Sequence, residues 1–351
     1  MGNYDDFELA VATMSGGKNV VKYINGLPSV MVPVPKFKIS DVISGASQNT
    51  HPGFIVNGVE KGTVYVSKFQ NIVVGDRAYS LPGRDPKVNI NFDQAVQYCR
   101  NNGRGWSLMP YSLWAAIALW CRKNGTMPHG NNNFGQDASY PQEKGIPIGA
   151  KTAEGEPQHI ATGSGPATWY HNWMPDGIAD LNGNVSEWCA GLRSVNGELQ
   201  IIPYANVFDP DVSLASASTS WKGIAADGSL VDPGTSGDLH YDFVSGKVQL
   251  STKTSSTADA WDSCSYEQMT LASGLTAPEI AKALILYPDE PGKDYASDYH
   301  GYNPNGECMS HCGGYFGSAG AAGVFDVYVG GARGGLVFYV GFRSAFADLD
   351  S

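Results

Sequence analysis

Three groups of residues in this chain have types and spacing that could do chemistry. The first is Gly177-Ile-Ala-Asp-Leu-Asn-Gly-Asn-Val-Ser-Glu-Trp-Cys189, where Asp180, Asn182 and Asn184 stand at alternate positions with Glu187 beyond. Such a run supplies the hard oxygen ligands that calcium prefers, although the Glu comes too early for an EF-hand loop. Turn and capping duty explains the same Asp and Asn residues equally well. The second group is Cys308-x3-Cys312 with His311 between. These are ligand types for zinc, but no second close pair accompanies them, and a buried free thiol acting as a small hydrophobe is the competing account. The third is the stretch from Gly313 to Arg343, where Tyr315, Phe316, Tyr328, Phe338 and Tyr339 stand among glycines and alanines. Rigid aromatics beside small residues offer contact area at little entropic cost, which is the chemistry of recognition.

Bond-making chemistry finds less support. The seven histidines form no helical two-His-plus-carboxylate set for iron, and the run Val324 to Val329 holds Val, Phe, Asp and Tyr with no thiolate. An enzyme of another constellation remains the alternative class, without residues to propose for it.

These groups need elements to position them. From Val324 to Val329 the apolar period is two, so on a strand Phe325, Val327 and Val329 share one face while Asp326 and Tyr328 share the other. Beyond Arg333, Leu336-Val-Phe-Tyr339 does not alternate, and Gly330, Gly331, Gly334 and Gly335 allow tight turns before it. The pattern predicts loops carrying exposed aromatics on a rigid frame; burial of those rings in a core is the competing account. Asn91 with Gln94 is a capping box opening a helix from Phe92 to Arg100. Pro110 opens a second helix with Leu113, Trp114, Ile117, Trp120 and Cys121 at helical spacing, ended by Gly125. Thr276-Ala-Pro-Glu279 predicts a third over Ile280 to Leu286, stopped by Pro288. Strands are expected near Thr63 to Gln70, Gln200 to Pro203 and Lys247 to Leu250. Pro28, Pro33 and Pro35 interrupt an apolar run, which predicts an extended or edge segment; residues 1–55 are expected to form an arm or docking segment.

With 43 Gly and 20 Pro among 351 residues, turns should outweigh regular elements in one large or two smaller domains. The net charge of −11 without clustered Lys or Arg argues against a nucleic-acid partner. No run is apolar enough for membrane insertion. The first residues are acidic where a signal peptide would be basic and then apolar, so synthesis in the cytosol is expected. Gly2 fits an acylation motif, whereas Asp6 does not.

The helix pair, Gly183-Asn-Val-Ser-Glu-Trp188 and Gly341-Phe-Arg343 together resemble the formylglycine-generating-enzyme (sulfatase-modifying factor) branch of the C-type lectin fold, over roughly residues 60 to 345. Ser186 stands where that family usually has Trp. The pattern Gly313-Gly, Ala322-Gly-Val-Phe325, Ala332-Arg333 and Val340-Gly-Phe-Arg343 further resembles the variable region of diversity-generating retroelement target proteins. Adenine-directed randomisation of Asn codons cannot produce Lys, Glu, Gln, Met or Trp, and none of these occurs between Tyr315 and Tyr339.

The resemblance implies an α+β, loop-rich C-type lectin fold with few helices and short antiparallel strands. It implies a domain over 56–351, with an insert at about 190–300 and a variable region at 313–343. Phe325, Val327, Val329, Ala332, Val340 and Phe342 would hold the fold. The ligand-binding set would be Tyr315, Phe316, Gly317, Ser318, Ala319, Ala321, Asp326, Tyr328, Gly330, Gly331, Gly334, Leu336, Val337, Phe338 and Tyr339, with Phe316 at a position relatives often fix as Trp. A structural calcium ion would take side-chain oxygens from Asp180 and Glu187 and the carbonyls of Gly183 and Val185; no redox cofactor is implied. The cysteine pair of the oxidases in this family has no counterpart after Cys312, so a binder rather than a formylglycine-generating oxidase is expected. A host or cell-surface protein or glycan would be the ligand, a homotrimer the assembly, and a phage virion the location.

Overall fold

The computed structural model describes residues 3–256 and 258–350, so Met1 and Gly2, which carry the acylation motif, lie outside the described residues. Glycine and proline punctuation cuts the chain into short strands, giving a mixed α and β fold that is rich in sheet with few helices. Two of the helices begin and end where local chemistry predicts. Helix α1 (Asn3–Ser15) precedes them and carries no cap that sequence reasoning used. In α2 (Phe92–Arg100) the Asn91 side chain accepts from Gln94 N at 2.9 Å while Gln94 Oε1 accepts from Asn91 N at 3.1 Å. Helix α3 (Tyr111–Asn124) follows Pro110 and stops at Gly125 in the left-handed region, φ 67°. The third predicted helix is cut to Glu279–Ala283 (α4), because Ile285 turns to φ 44°, and Thr276 makes no cap.

A five-stranded sheet takes strands β1 (Val20–Ile24), β2 (Leu27–Pro35), β3 (Thr63–Ser67), β4 (Trp106–Leu108) and a terminal strand, Ser344–Phe346, in the order β1, β2, β3, terminal strand, β4. Two expectations are corrected here. Residues 20 to 35 are built into this sheet and its core rather than forming a separate arm, with Val30, Met31 and Val32 buried. Strand β2 also has neighbours on both sides, but in relay: β1 pairs residues 27 to 31 and β3 pairs residues 31 to 35. Each proline therefore has a ladder on one side only, which is how an apolar run with three prolines enters a sheet without losing donors on both.

A second sheet of twelve strands among the described residues holds the rest. Its middle runs from β5 (Ser186–Val195) through β6 (Glu198–Ile201) to the hairpin of β7 (His240–Val244) and β8 (Lys247–Ser251) on one side. On the other side lie β9 (Asp262–Ser265), β10 (Tyr299–Tyr302), β11 (Glu307–Cys312) and β12 (Val327–Ala332), in the spatial order β5, β11, β12, β10, β9. The 190–300 region thus supplies core strands of the main sheet. Strand β13 (Val340–Phe342) runs parallel to the start of β5, and the chain then crosses to the smaller sheet as β14 (Ser344–Phe346). Arg343 is the crossing point, and it is fully buried.

Strand β12 begins three residues later than the alternation suggested, yet its parity holds. Phe325, Val327 and Val329 are buried over the core that contains Trp114, whose indole Nε1 donates to Val324 O at 2.8 Å. Ala332, expected in the framework, is exposed at the end of the strand, where it pairs with Cys308. Gly330 and Gly331 lie within β12 and not in turns. Met309 faces Gly331 and Ser310 faces Val329, which leaves Gly330 as the extra residue of a bulge. Gly331 packs beneath Trp188, where a Cβ would come within 2.6 Å of the indole.

Candidate ligand-binding site

The outward parity of β12 opens onto a cavity of about 380 Å³. Of the residues expected to bind ligand, Tyr315, Ser318, Ala321, Asp326, Tyr328 and Tyr339 come together around it. One wall is the ring of Tyr315 stacked on that of Tyr339, 4.3 Å apart and 24° from parallel. A second aromatic group is Tyr328 with Trp261 at 5.7 Å and Tyr299 at 6.4 Å. Asp326 and His311 lie at the bottom, with Ser186 and Gly314. Leu336 and Phe338 stand on the loop between β12 and β13, 61% and 49% exposed, with Phe338 edge-on to Tyr339 at 5.0 Å.

Other members of the expected set are placed elsewhere. Phe316 is 3% exposed and packs on Phe134, His159 and Tyr315, so it is core and not a displayed residue. Gly331 is likewise buried beneath Trp188. Val337 is half-buried against the core beside Tyr339. Gly317 and Gly330 are half-buried, and Ala319 and Gly334 are exposed outside the cavity. Sequence reasoning missed Ser186, Trp261, Tyr299, His311 and Gly314. A usable signal existed for two of them: Ser186 replaces the family's usual Trp, and Trp261 is a lone large aromatic in a Ser, Thr and Asp run.

The electrostatics of the floor are those of an acid kept from water. Burial pushes the Asp326 carboxyl well above its ordinary range. Behind it, Asp298 accepts from Phe325 N at 2.8 Å and is also pushed up, by burial first and by the charge of Asp326 among others. Burial lowers the His311 pKa to about 4, so the ring is neutral at physiological pH. Its Nδ1 lies 2.6 Å from Ser186 Oγ, a nucleophile-to-base distance, but that hydroxyl is buried and also reaches Cys312 O at 3.1 Å. The pair orients the imidazole instead of presenting an alkoxide to the cavity.

The zinc grouping is dissolved by strand alternation. On β11, Cys308 and Cys312 face one side and His311 the other. All six cysteines are free, and burial raises the Cys308 thiol to about 11 and the Cys312 thiol well above its ordinary range.

The calcium expectation also meets a correction. The oxygens of the 180–187 turn do converge, but upon protein donors. Gln70 Nε2 lies 2.9 Å from Val185 O, 3.1 Å from Asp180 O, 3.3 Å from Gly183 O and 3.0 Å from Glu187 Oε1. Asn184 Nδ2 donates to Gln70 Oε1 at 2.9 Å, which fixes the amide's orientation. Arg343 donates to both oxygens of Glu187 at 2.5 Å, and to Ser67 O, Ala179 O and Asp180 O. Asp180 turns its carboxylate away to accept from Gly163 N at 2.8 Å. A guanidinium neutralises the one carboxylate and an amide fills the ring of carbonyls, so the residues present do not fit a calcium ion. The turn closes on hydrogen bonds.

No family model matches the chain, and no curated protein matches it. Among the described residues no helix is long and apolar enough to cross a membrane. Two solved structures are similar at low identity. Treponema denticola variable protein 1 is 12% identical over 94% of this chain and 99% of its own, with a TM-score of 0.35. A Major Tropism Determinant P3c variant is 9% identical over 91% of this chain and 63% of its own, with a TM-score of 0.30. Superpositions this loose carry no conclusion about what the chain does.

Proposed function

We propose that this chain is a ligand-binding protein of the diversity-generating retroelement kind, with a C-type lectin scaffold of the formylglycine-generating-enzyme type. Its 313–343 segment presents a replaceable surface to a host or cell-surface protein or glycan. The observation that carries this is the separation of two interleaved residue sets: Phe325, Val327 and Val329 are buried, while Asp326, Tyr328 and Tyr339 line one aromatic cavity beside the exposed Leu336 and Phe338. Rigid rings around a recess are the anatomy of a recognition site. A homotrimeric receptor-binding protein on a phage tail or virion suits such a site, since several copies offset a weak single one. The encoding DNA tests the reading. A near-identical copy of the 313–343 coding segment, differing at adenines and lying beside a reverse transcriptase gene, is expected; absence of both overturns diversification and leaves a plain binder.

A further inference from the structure

The cavity under the displayed segment has walls and a floor of different chemistry. The walls are the faces and edges of Tyr315, Tyr339, Tyr328, Tyr299 and Trp261; the floor is Asp326. Asp326 is 6% exposed, and among the described residues no hydrogen bond or ion pair reaches its carboxylate. No Lys or Arg lines the cavity. Gly314, at φ 69°, lies so close that a Cβ there would be 2.6 Å from Asp326 Oδ2, so only glycine leaves the acid its place. A buried acid without a partner is costly.

A second acceptor faces the same space. Ser186 Oγ contacts both His311 Nδ1 and Cys312 O, and its single proton satisfies the carbonyl, which cannot donate. His311 Nδ1 then carries hydrogen toward Oγ, which leaves Nε2 of this cavity-lining ring as an acceptor. Acid and imidazole together ask for a ligand rich in donors, and the rings ask for a flat or compact cation between them.

We propose that the cavity receives the basic side chain of a protein partner, an arginine or a lysine, with its cationic head on Asp326 and its stem between the tyrosine rings. This rests on the reading of the cavity as the binding site. Guanidinium and ammonium groups donate without accepting, match a carboxylate, and are held by aromatic faces. Burial holds Asp326 toward its neutral form in the free protein, and an arriving cation reverses that direction. A neutral glycan can donate its hydroxyls to the carboxylate but brings no counter-charge to the buried acid.

Selection of a random-peptide library on the intact protein tests this. Peptides that bind the natural protein but not its Tyr328→Ala, Tyr339→Ala double variant are sequenced and resynthesised. The expected result is a shared Arg or Lys whose replacement, citrulline for Arg or norleucine for Lys, weakens binding by about tenfold or more, as loss of a hydrogen bond to a charged group does. Asp326→Asn should weaken the parent peptide similarly and leave the uncharged peptide unchanged. The peptide substitutions need no altered protein, so they decide the matter even where Asp326→Asn folds poorly. Ring-dependent peptides that lack a basic residue, or tolerate its neutralisation, overturn the inference while the binding site stands. If no selected peptide depends on the rings, the site itself is wrong as well.

Discussion

Replacing Arg343 with Ala tests what joins the two sheets. The guanidinium lies where the chain leaves β13 for β14, and five hydrogen bonds anchor it: two to Glu187, and one each to the carbonyls of Ser67, Ala179 and Asp180. Both partners of the ion pair are sealed from water. Truncation leaves a buried carboxylate whose remaining side-chain donor is Gln70 at 3.0 Å, removes the side-chain donor to the carbonyls of Ser67 and Ala179, and opens a void. Breaking such a pair from one side costs about 3–5 kcal/mol, a large part of the roughly 5–15 kcal/mol that holds a domain together. With a urea slope near 3 kcal/mol/M, the unfolding midpoint should fall by about 1–1.7 M. Arg343→Lys should recover only part, because an ammonium cannot reproduce the two-pronged contact. The double change Arg343→Met with Glu187→Leu should be milder than Arg343→Ala, since it removes the uncompensated charge. Near-ultraviolet circular dichroism in urea reads all three. A loss under about 1 kcal/mol for Arg343→Ala, or a double variant as damaged as the sum of its parts, would refute the account of this arginine as a charge-compensating joint.

Two other expectations concern the turn and the rings. Burial, opposed by the Gly163 hydrogen bond and the Arg343 charge, raises Asp180 from its ordinary 3.8 to about 6, and its Oδ1 has no partner. A raised acid contributes stability that is complete below pH 4 and lost as pH rises through 6. Asp180→Asn, which also suits the φ of 59° there, should match the natural protein at pH 4 and melt higher above pH 6, gaining up to about 3 kcal/mol; a gap that fails to open with pH would contradict this. Phe316→Ala should cost about 3–5 kcal/mol by thermal unfolding, and Phe338→Ala under about 1 kcal/mol, because the first ring is core and the second stands in solvent.

Much of this was legible in the residues, and the misses have identifiable causes. The capping box at Asn91 and the glycine stop at Gly125 are local signals, and they held to the residue. The parity of Phe325, Val327 and Val329 is local too. What failed was long-range. The relay that lets β2 carry Pro33 and Pro35 depends on where β1 ends and β3 begins. Phe316 differs from Phe338 only because Phe134 and His159 lie beneath it. The carbonyls of Gly183 and Val185 and the carboxylate of Glu187 do meet, but Asp180 brings its carbonyl and not its carboxylate, and the group they meet upon is Gln70, more than a hundred residues earlier. Trp261 and Tyr299 reach the cavity from the region that looked like an insert, and no spacing within 313–343 could have supplied them.

The backbone of the loop from Arg333 to Arg343 is held in a way that would tolerate changes of side chain. At one end Arg333 bonds Glu307, Asp93 and Leu214 O; at the other Arg343 bonds Glu187. Between these clamps the loop is tied by its own carbonyls, with Arg333 O accepting from Phe92 N at 3.2 Å, Val337 O from Asn89 N at 3.1 Å and Tyr339 O from Ser186 N at 2.9 Å. Main-chain oxygens persist whatever side chain is present, so these ties survive substitution at Leu336, Phe338 or Tyr339. The entropy of ordering the loop is therefore offset by groups that variation cannot remove. A new side chain then changes what the cavity rim offers without changing where the rim is, and that division of labour between backbone and side chain is what a replaceable binding surface requires.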